Sequence, residues 1–170
     1  MLKAVERIGL PLLYVALVAC AAFIGGCVKD QTWKSGSQAP QISVLDLRNA
    51  TVQLSDFRGK VIVLRFWATG CKACVAEMPR LDKFRKKYSE KDLAVLGVNI
   101  GGSKDLVEAF AKGLNISYPL LLDPAMIAAK KYAVRTVPTT FFIDRNGNAK
   151  QVIAGEIPQQ AFDKIVASMI

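Results

Sequence analysis

The chain has 170 residues, of which 52% are hydrophobic and 22% charged, and it carries a formal net charge of +9 at pH 7. That length holds one domain with a substantial core, and the balance excludes both a disordered chain and a multi-span membrane protein. Histidine is absent, which removes Ser-His-Asp, Cys-His and His-metal chemistries and leaves four cysteines, Cys20, Cys27, Cys71 and Cys74, to carry any reactivity.

In chain order, Lys3 and Arg7 precede an apolar run from Ile8 to Ile24, the charge-then-apolar layout of an export signal. Residues 1–27 are therefore read as a signal peptide or membrane anchor. Ile24-Gly25-Gly26-Cys27 resembles a bacterial lipoprotein processing site with Cys27 as the lipidated residue, and Leu17-Val18-Ala19-Cys20 offers Cys20 as an alternative. Cleavage before Cys20 would leave Ala21 to Ile24 exposed, so Cys27 is preferred over Cys20. A retained helix of about 17 residues, at the short end of what spans a bilayer, is the competing reading. Residues 28–40 read as a flexible tether and 41–170 as the domain.

The domain opens with a hairpin, Ile42 to Leu47 and Thr51 to Leu54, across the turn-like Arg48-Asn49. Val61 to Trp67 is a near-continuous apolar run rich in β-branched residues, as expected of a central strand covered on both faces. From Cys71 to about Tyr88, apolar residues at three- and four-residue spacing predict a helix, with a kink at Pro79. Leu93 to Ile100 reads as a second buried strand. Ser103 is placed to cap a helix to about Leu114, Leu120 to Leu122 is a short strand, and Asp123-Pro124 predicts the start of a helix ending near Tyr132. Thr139 to Ile143 and Ala149 to Ile153 flank an Asn146-Gly147 turn, and a last helix begins near Pro158.

Two cysteines separated by two residues can close a disulfide or supply half of a metal site. At a helix start the first of them faces free N–H groups and a partial positive charge, which favour its thiolate. Lys72 adds a second positive charge beside it, unless it is simply a solvated lysine. The basic residues are scattered and interleaved with acids, as in Asp82-Lys83 and Glu90-Lys91-Asp92, and no basic stripe with stacking aromatics is present, which argues against a nucleic-acid partner.

The ordered set Gly36-Ser37-Gln38-Ala39-Pro40, Leu54 to Lys60, Phe66-Trp67-Ala68-Thr69, Cys71-Lys72-Ala73-Cys74, Glu77 and Val137-Pro138-Thr139 resembles the thioredoxin superfamily. Within it, the match is to the TlpA/ResA-like membrane-anchored branch with its AhpC/TSA-redoxin-like domain. The resemblance implies an α/β thioredoxin fold, a central mixed sheet flanked by helices, with an N-terminal β-hairpin and an inserted αβ unit. It implies Cys71 as nucleophile, Cys74 as resolving cysteine, Glu77 as a candidate proton acceptor, and Pro138 as a cis-proline that docks substrate. Trp67, Thr69, Gly70, Lys72, Ala73 and Val137 would form the rim, with Trp67 a packing residue of both core and rim rather than a reactant.

Two positions depart from that pattern. Arg65 stands where thioredoxins carry an aspartate and ResA-like proteins often an asparagine, and Gly70 stands where a second tryptophan precedes the first cysteine. The usual buried-acid relay is then absent or rerouted through Glu77. The implied activity is a thiol-disulfide oxidoreductase, monomeric and without cofactor or metal, on the periplasmic face of the bacterial cytoplasmic membrane. It would reduce disulfides in exported proteins, as in cytochrome c maturation, with a membrane thiol-electron transporter as reductant. The competing class is a Cu(I)-binding or metal-delivery module using the same two thiolates. Antioxidant activity of the peroxiredoxin kind would require Thr or Ser three residues before the first cysteine, where Ala68 stands.

Overall fold

The computed structural model describes residues 34–170, so the expectations for Cys20, Cys27 and the export segment lie outside the described residues. Seven strands form one mixed sheet: β1 (Ser43–Asp46), β2 (Thr51–Gln53), β3 (Val61–Trp67), β4 (Leu93–Ile100), β5 (Leu120–Asp123), β6 (Thr139–Ile143) and β7 (Ala149–Ala154). Their spatial order is β2-β1-β5-β4-β3-β6-β7. Helices α1 (Lys72–Arg85), α2 (Lys104–Gly113), α3 (Ile127–Lys131) and α4 (Gln159–Ala167) flank it. This is the thioredoxin fold, with the β1–β2 hairpin added through β5.

The residues of β3 explain its central place. It pairs in parallel with β4 and antiparallel with β6, and all seven of its residues are buried. Alternation along the strand divides it between two apolar layers. Ile62, Leu64 and Phe66 face the layer that holds Ala128, Ala129 and Tyr132 of the α3 region. Val61, Val63 and Trp67 face Cys74, Met78, Leu81 and Phe84 of α1 and Phe162 and Val166 of α4. Arg65 shares the parity of this second set, so the strand delivers a guanidinium into the layer beneath α1. The crossover through α1 sets the cysteine pair at the carboxyl end of β3.

A side chain also fastens α1 to the loop that leads into β5. Asp82 is buried on α1, accepts hydrogen bonds from the Ser117 N–H (2.8 Å) and hydroxyl (2.7 Å), and pairs with Lys86. Burial pushes its carboxyl up, but the hydrogen bonds from Lys86 and Ser117 outweigh this and hold it below the ordinary carboxylate range.

Several expectations are corrected. The helix of the cysteines ends at Arg85 rather than near Tyr88, with Pro79 inside it as expected. Asp123 belongs to β5. Its carboxylate still caps α3, accepting from the N–H groups of Ala128 (3.2 Å) and Ala129 (2.9 Å), but across a turn that delays the helix to Ile127. Part of the expected tether is docked: Gly36 N–H donates to the Ala149 carbonyl, Ala39 N–H to that of Gly147, and the Ser35 hydroxyl to that of Lys150. Residues 35–39 therefore extend the domain along the β6–β7 hairpin.

Because the Asp82 carboxylate has a depressed pKa when folded, its contribution to stability is present above the unfolded carboxylate pKa and is lost as pH falls through the folded value. Replacing Asp82 with Asn is expected to lower unfolding free energy at pH 7 by about 1–3 kcal/mol and to flatten the acid limb of the stability–pH curve, both read by urea denaturation. Unchanged stability at pH 7 would show that the Asp82–Ser117 tie is dispensable.

Candidate active site

The site begins where the buried strand β3 ends. Ala68-Thr69-Gly70 turns the chain, the Cys71 N–H donates to the Ala68 carbonyl (3.1 Å), and Cys71 becomes the N-cap of α1 with extended backbone angles (φ −88°, ψ 98°). Its Sγ occupies the position of a capping oxygen and accepts the Cys74 N–H at 3.1 Å. That N–H is one of the donors a helix start leaves free, so the same geometry that begins the helix gives a Cys71 thiolate a hydrogen bond and the positive end of the peptide dipoles.

Cys71 and Cys74 are joined in a disulfide, with Cα atoms 5.2 Å apart. The two sulfurs are not equivalent: Cys71 is half-buried, whereas Cys74 is 0% exposed beneath the helix. An incoming sulfur can reach Cys71 alone. Lys72 is exposed next to it and Ala73 half-buried.

The Val137–Pro138 peptide is cis, and the Val137 carbonyl oxygen lies 3.7 Å from Cys71 Sγ. Pro138 is buried, and its carbonyl accepts the Gly155 N–H at 2.7 Å, which ties the loop after β7 to the cis segment. Thr69 is half-buried beside the pair. Gly70 is exposed, and a Cβ there would meet nothing within 4 Å, so no close contact requires glycine at this rim position. Trp67, expected to pack in both core and rim, is 2% exposed and so belongs to the core. Its ring packs edge-on against Phe110 of α2 because its strand parity turns it into the α1 layer.

Beneath the pair is an ionic cluster. Arg65 (3% exposed) ion-pairs with Glu77 (4% exposed), one helical turn beyond Cys74, and donates to Thr140 Oγ1 at 2.9 Å. Glu77 also ion-pairs with Arg80 and accepts the Ile157 N–H at 3.2 Å, while Arg80 donates to the Ile157 carbonyl at 2.8 Å. Burial pulls the Arg65 guanidinium down to about 10, with Tyr118 opposing, the like charge of Arg80 adding to the fall, and Glu156 opposing. Arg65 Nε has no hydrogen-bond partner.

The sequence reading singled out Arg65 and Glu77 without pairing them, and it missed Arg80, Thr140 and Ile157. The available signal was the i, i+3 spacing of Glu77 and Arg80. Among the described residues, no group of three or more cysteine, aspartate or glutamate side chains converges as a metal site would require.

A thioredoxin scaffold with a half-exposed sulfur capping a helix and a buried partner one turn on defines the class, a thiol-disulfide oxidoreductase. Residues 35–152 match the model of the AhpC/TSA family, and the chain belongs to that family. It is 32% identical over 167 residues to the thiol-disulfide oxidoreductase ResA of Geobacillus kaustophilus, covering 98% of this chain and 96% of that one. It is 36% identical over 139 residues to the thioredoxin-like protein YneN of Bacillus subtilis, covering 80% of this chain and 81% of the relative. Among solved structures, it is similar to a protein described as a thiol:disulfide interchange protein DsbE from Chlorobium tepidum, with TM-score 0.76, 27% identity, and coverage of 81% of this chain and 99% of that one. A second is the exposed lipoprotein thioredoxin Etrx1 of Streptococcus pneumoniae, with TM-score 0.65, 29% identity, and coverage of 76% and 99%.

The difference in exposure between the two sulfurs predicts the order of attack. With Cys74 replaced by Ala, a disulfide-containing substrate should accumulate as a mixed disulfide on Cys71, visible on non-reducing gels. With Cys71 replaced by Ala, no adduct should form, and an adduct on Cys74 would reverse the assignment.

Proposed function

We propose that this chain is a reductase of disulfides in exported proteins, working from the outer face of the bacterial cytoplasmic membrane while anchored by its N-terminal segment. The observation that carries the catalytic part is the pairing of a half-exposed Cys71 Sγ, hydrogen-bonded by the Cys74 N–H, with a fully buried Cys74. Cys71 thiolate attacks one sulfur of the substrate disulfide and the other leaves as a thiolate. Cys74 then attacks Cys71 Sγ and releases the second substrate sulfur. Two electrons pass to the substrate, whose two sulfurs take up two protons, and the chain is left in the disulfide form. A membrane thiol-electron transporter returns it to the dithiol. Pro138 and the Val137 carbonyl dock an extended substrate segment beside Cys71, and the chain acts as a monomer.

What supports the location is the export-like layout before Cys27 and the likeness to an exposed lipoprotein thioredoxin. No helix of the described residues is long and apolar enough to cross a membrane, so the anchor in this reading falls to the segment before residue 34, by lipid on Cys27 or by a retained helix. Cytochrome c maturation supplies a suitable substrate class, a Cys-x-x-Cys-His segment held as a disulfide.

The test is equilibration with glutathione buffers followed by alkylation of free thiols. A reductase gives a potential nearer to thioredoxin's, about −270 mV, than to DsbA's, about −120 mV, and the reduced protein converts an oxidised Cys-x-x-Cys-His peptide to its dithiol. A potential near the DsbA value would reverse the direction, and stoichiometric copper retained under reducing conditions would favour metal delivery. In cells, Cys27→Ser should release the protein from the membrane fraction, whereas a retained helix would keep it there.

A further inference from the structure

The ionic cluster under the cysteine pair contains two guanidinium groups and one carboxylate, all on or against the helix that carries both sulfurs; Arg80 is 43% exposed, and the exposed carboxylate of Glu156 acts on Arg65 from the solvent side, so both of these charges are screened relative to the buried Arg65–Glu77 pair. Both oxygens of Glu77 accept from cationic or backbone donors: Arg65 on Oε2, Arg80 and the Ile157 N–H on Oε1. A proton arriving on a carboxylate held this way would weaken both ion pairs at once. Arg65 lies in the same apolar layer as Cys74, Met78 and Trp67, where charges are weakly screened.

We infer that Arg65 is a positioning residue of the redox site: it holds Glu77 ionised and leaves the Arg65–Glu77–Arg80 cluster with one positive charge in excess, which favours thiolate over thiol at Cys74 and so favours the reduced pair. Charge balance, rather than a buried base, then readies Cys74. In the mixed disulfide, the Cys74 proton passes to the substrate thiolate released in the first step, the Cys74 thiolate attacks Cys71 Sγ, and the second substrate sulfur departs. No proton needs to rest on Glu77. The inference rests on the Cys71–Cys74 cycle and is independent of its direction in the cell.

Substitutions at the two buried charges should therefore act with opposite sign. A unit charge on the order of 10 Å away at an effective dielectric near 20 changes an equilibrium by about tenfold. Arg65→Met removes the excess charge and should shift the glutathione equilibrium at pH 8 about tenfold towards the disulfide, roughly 30 mV lower in potential. Glu77→Gln doubles the excess and should shift it about tenfold the other way. The double variant restores one excess charge and should return to within about threefold of the parent, as should Arg65→Lys. A purely structural role would lower stability in each single variant without opposite shifts in potential.

If both single variants shift in the same direction, or if both remain folded by circular dichroism and neither shifts, the inference is overturned. It is also overturned if Glu77→Gln slows resolution of a Cys71 mixed disulfide about tenfold at unchanged potential, because Glu77 would then be the proton acceptor. Should Arg65→Met fail to fold, Glu77→Gln and Arg65→Lys carry the test alone. A parent protein that does not exchange with glutathione at all would instead remove the cycle itself, an outcome distinct from either of these.

Discussion

The Arg65–Glu77 ion pair joins the central strand to the helix of the cysteines, and the site depends on that junction. Burying either charge alone would cost several kcal/mol, and removing one partner of such a pair typically costs about 3–5 kcal/mol. The two side chains therefore meet in one relative placement of α1 and β3. That placement sets Cys71 at the lip of the sheet, Cys74 beneath it, and the Val137 carbonyl at 3.7 Å from the outer sulfur. The strand supplies the site with a charge as well as a floor.

The loop after β7 braces the same arrangement from the opposite side. Gly155 donates to the Pro138 carbonyl, and two residues later Ile157 donates to Glu77 and accepts from Arg80. One short segment thus holds both the cis-proline wall and the ionic cluster. The helix and the cis-proline segment are therefore tied to the same few residues, by side-chain bonds at Ile157 and a backbone bond at Gly155.

Much of this was legible from residue patterns because burial and periodicity write themselves into sequence. Val61 to Trp67 and Leu93 to Ile100 have the β-branched composition of strands covered on both faces, and both lie where expected. The cysteine pair announced a helix start through its spacing and flanking turn. What escaped were contacts without a local signature. Arg65 and Glu77 are 12 residues apart on different elements, so their pairing exists only once strand and helix are packed. Residues 35–39 read as a polar tether because pairing through backbone groups leaves hydropathy untouched. Asp123 gave a true capping signal but an early helix start, since its carboxylate reaches N–H groups several residues on. Of the two places expected for Trp67, core and rim, strand parity selects the core.

The rim glycine has a consequence for selectivity. With Gly70 in place of a large ring, no side chain at that position covers Cys71, and the Val137 carbonyl lies 3.7 Å from its sulfur. A rim position without a side chain offers no contact through which one incoming side chain could be preferred over another.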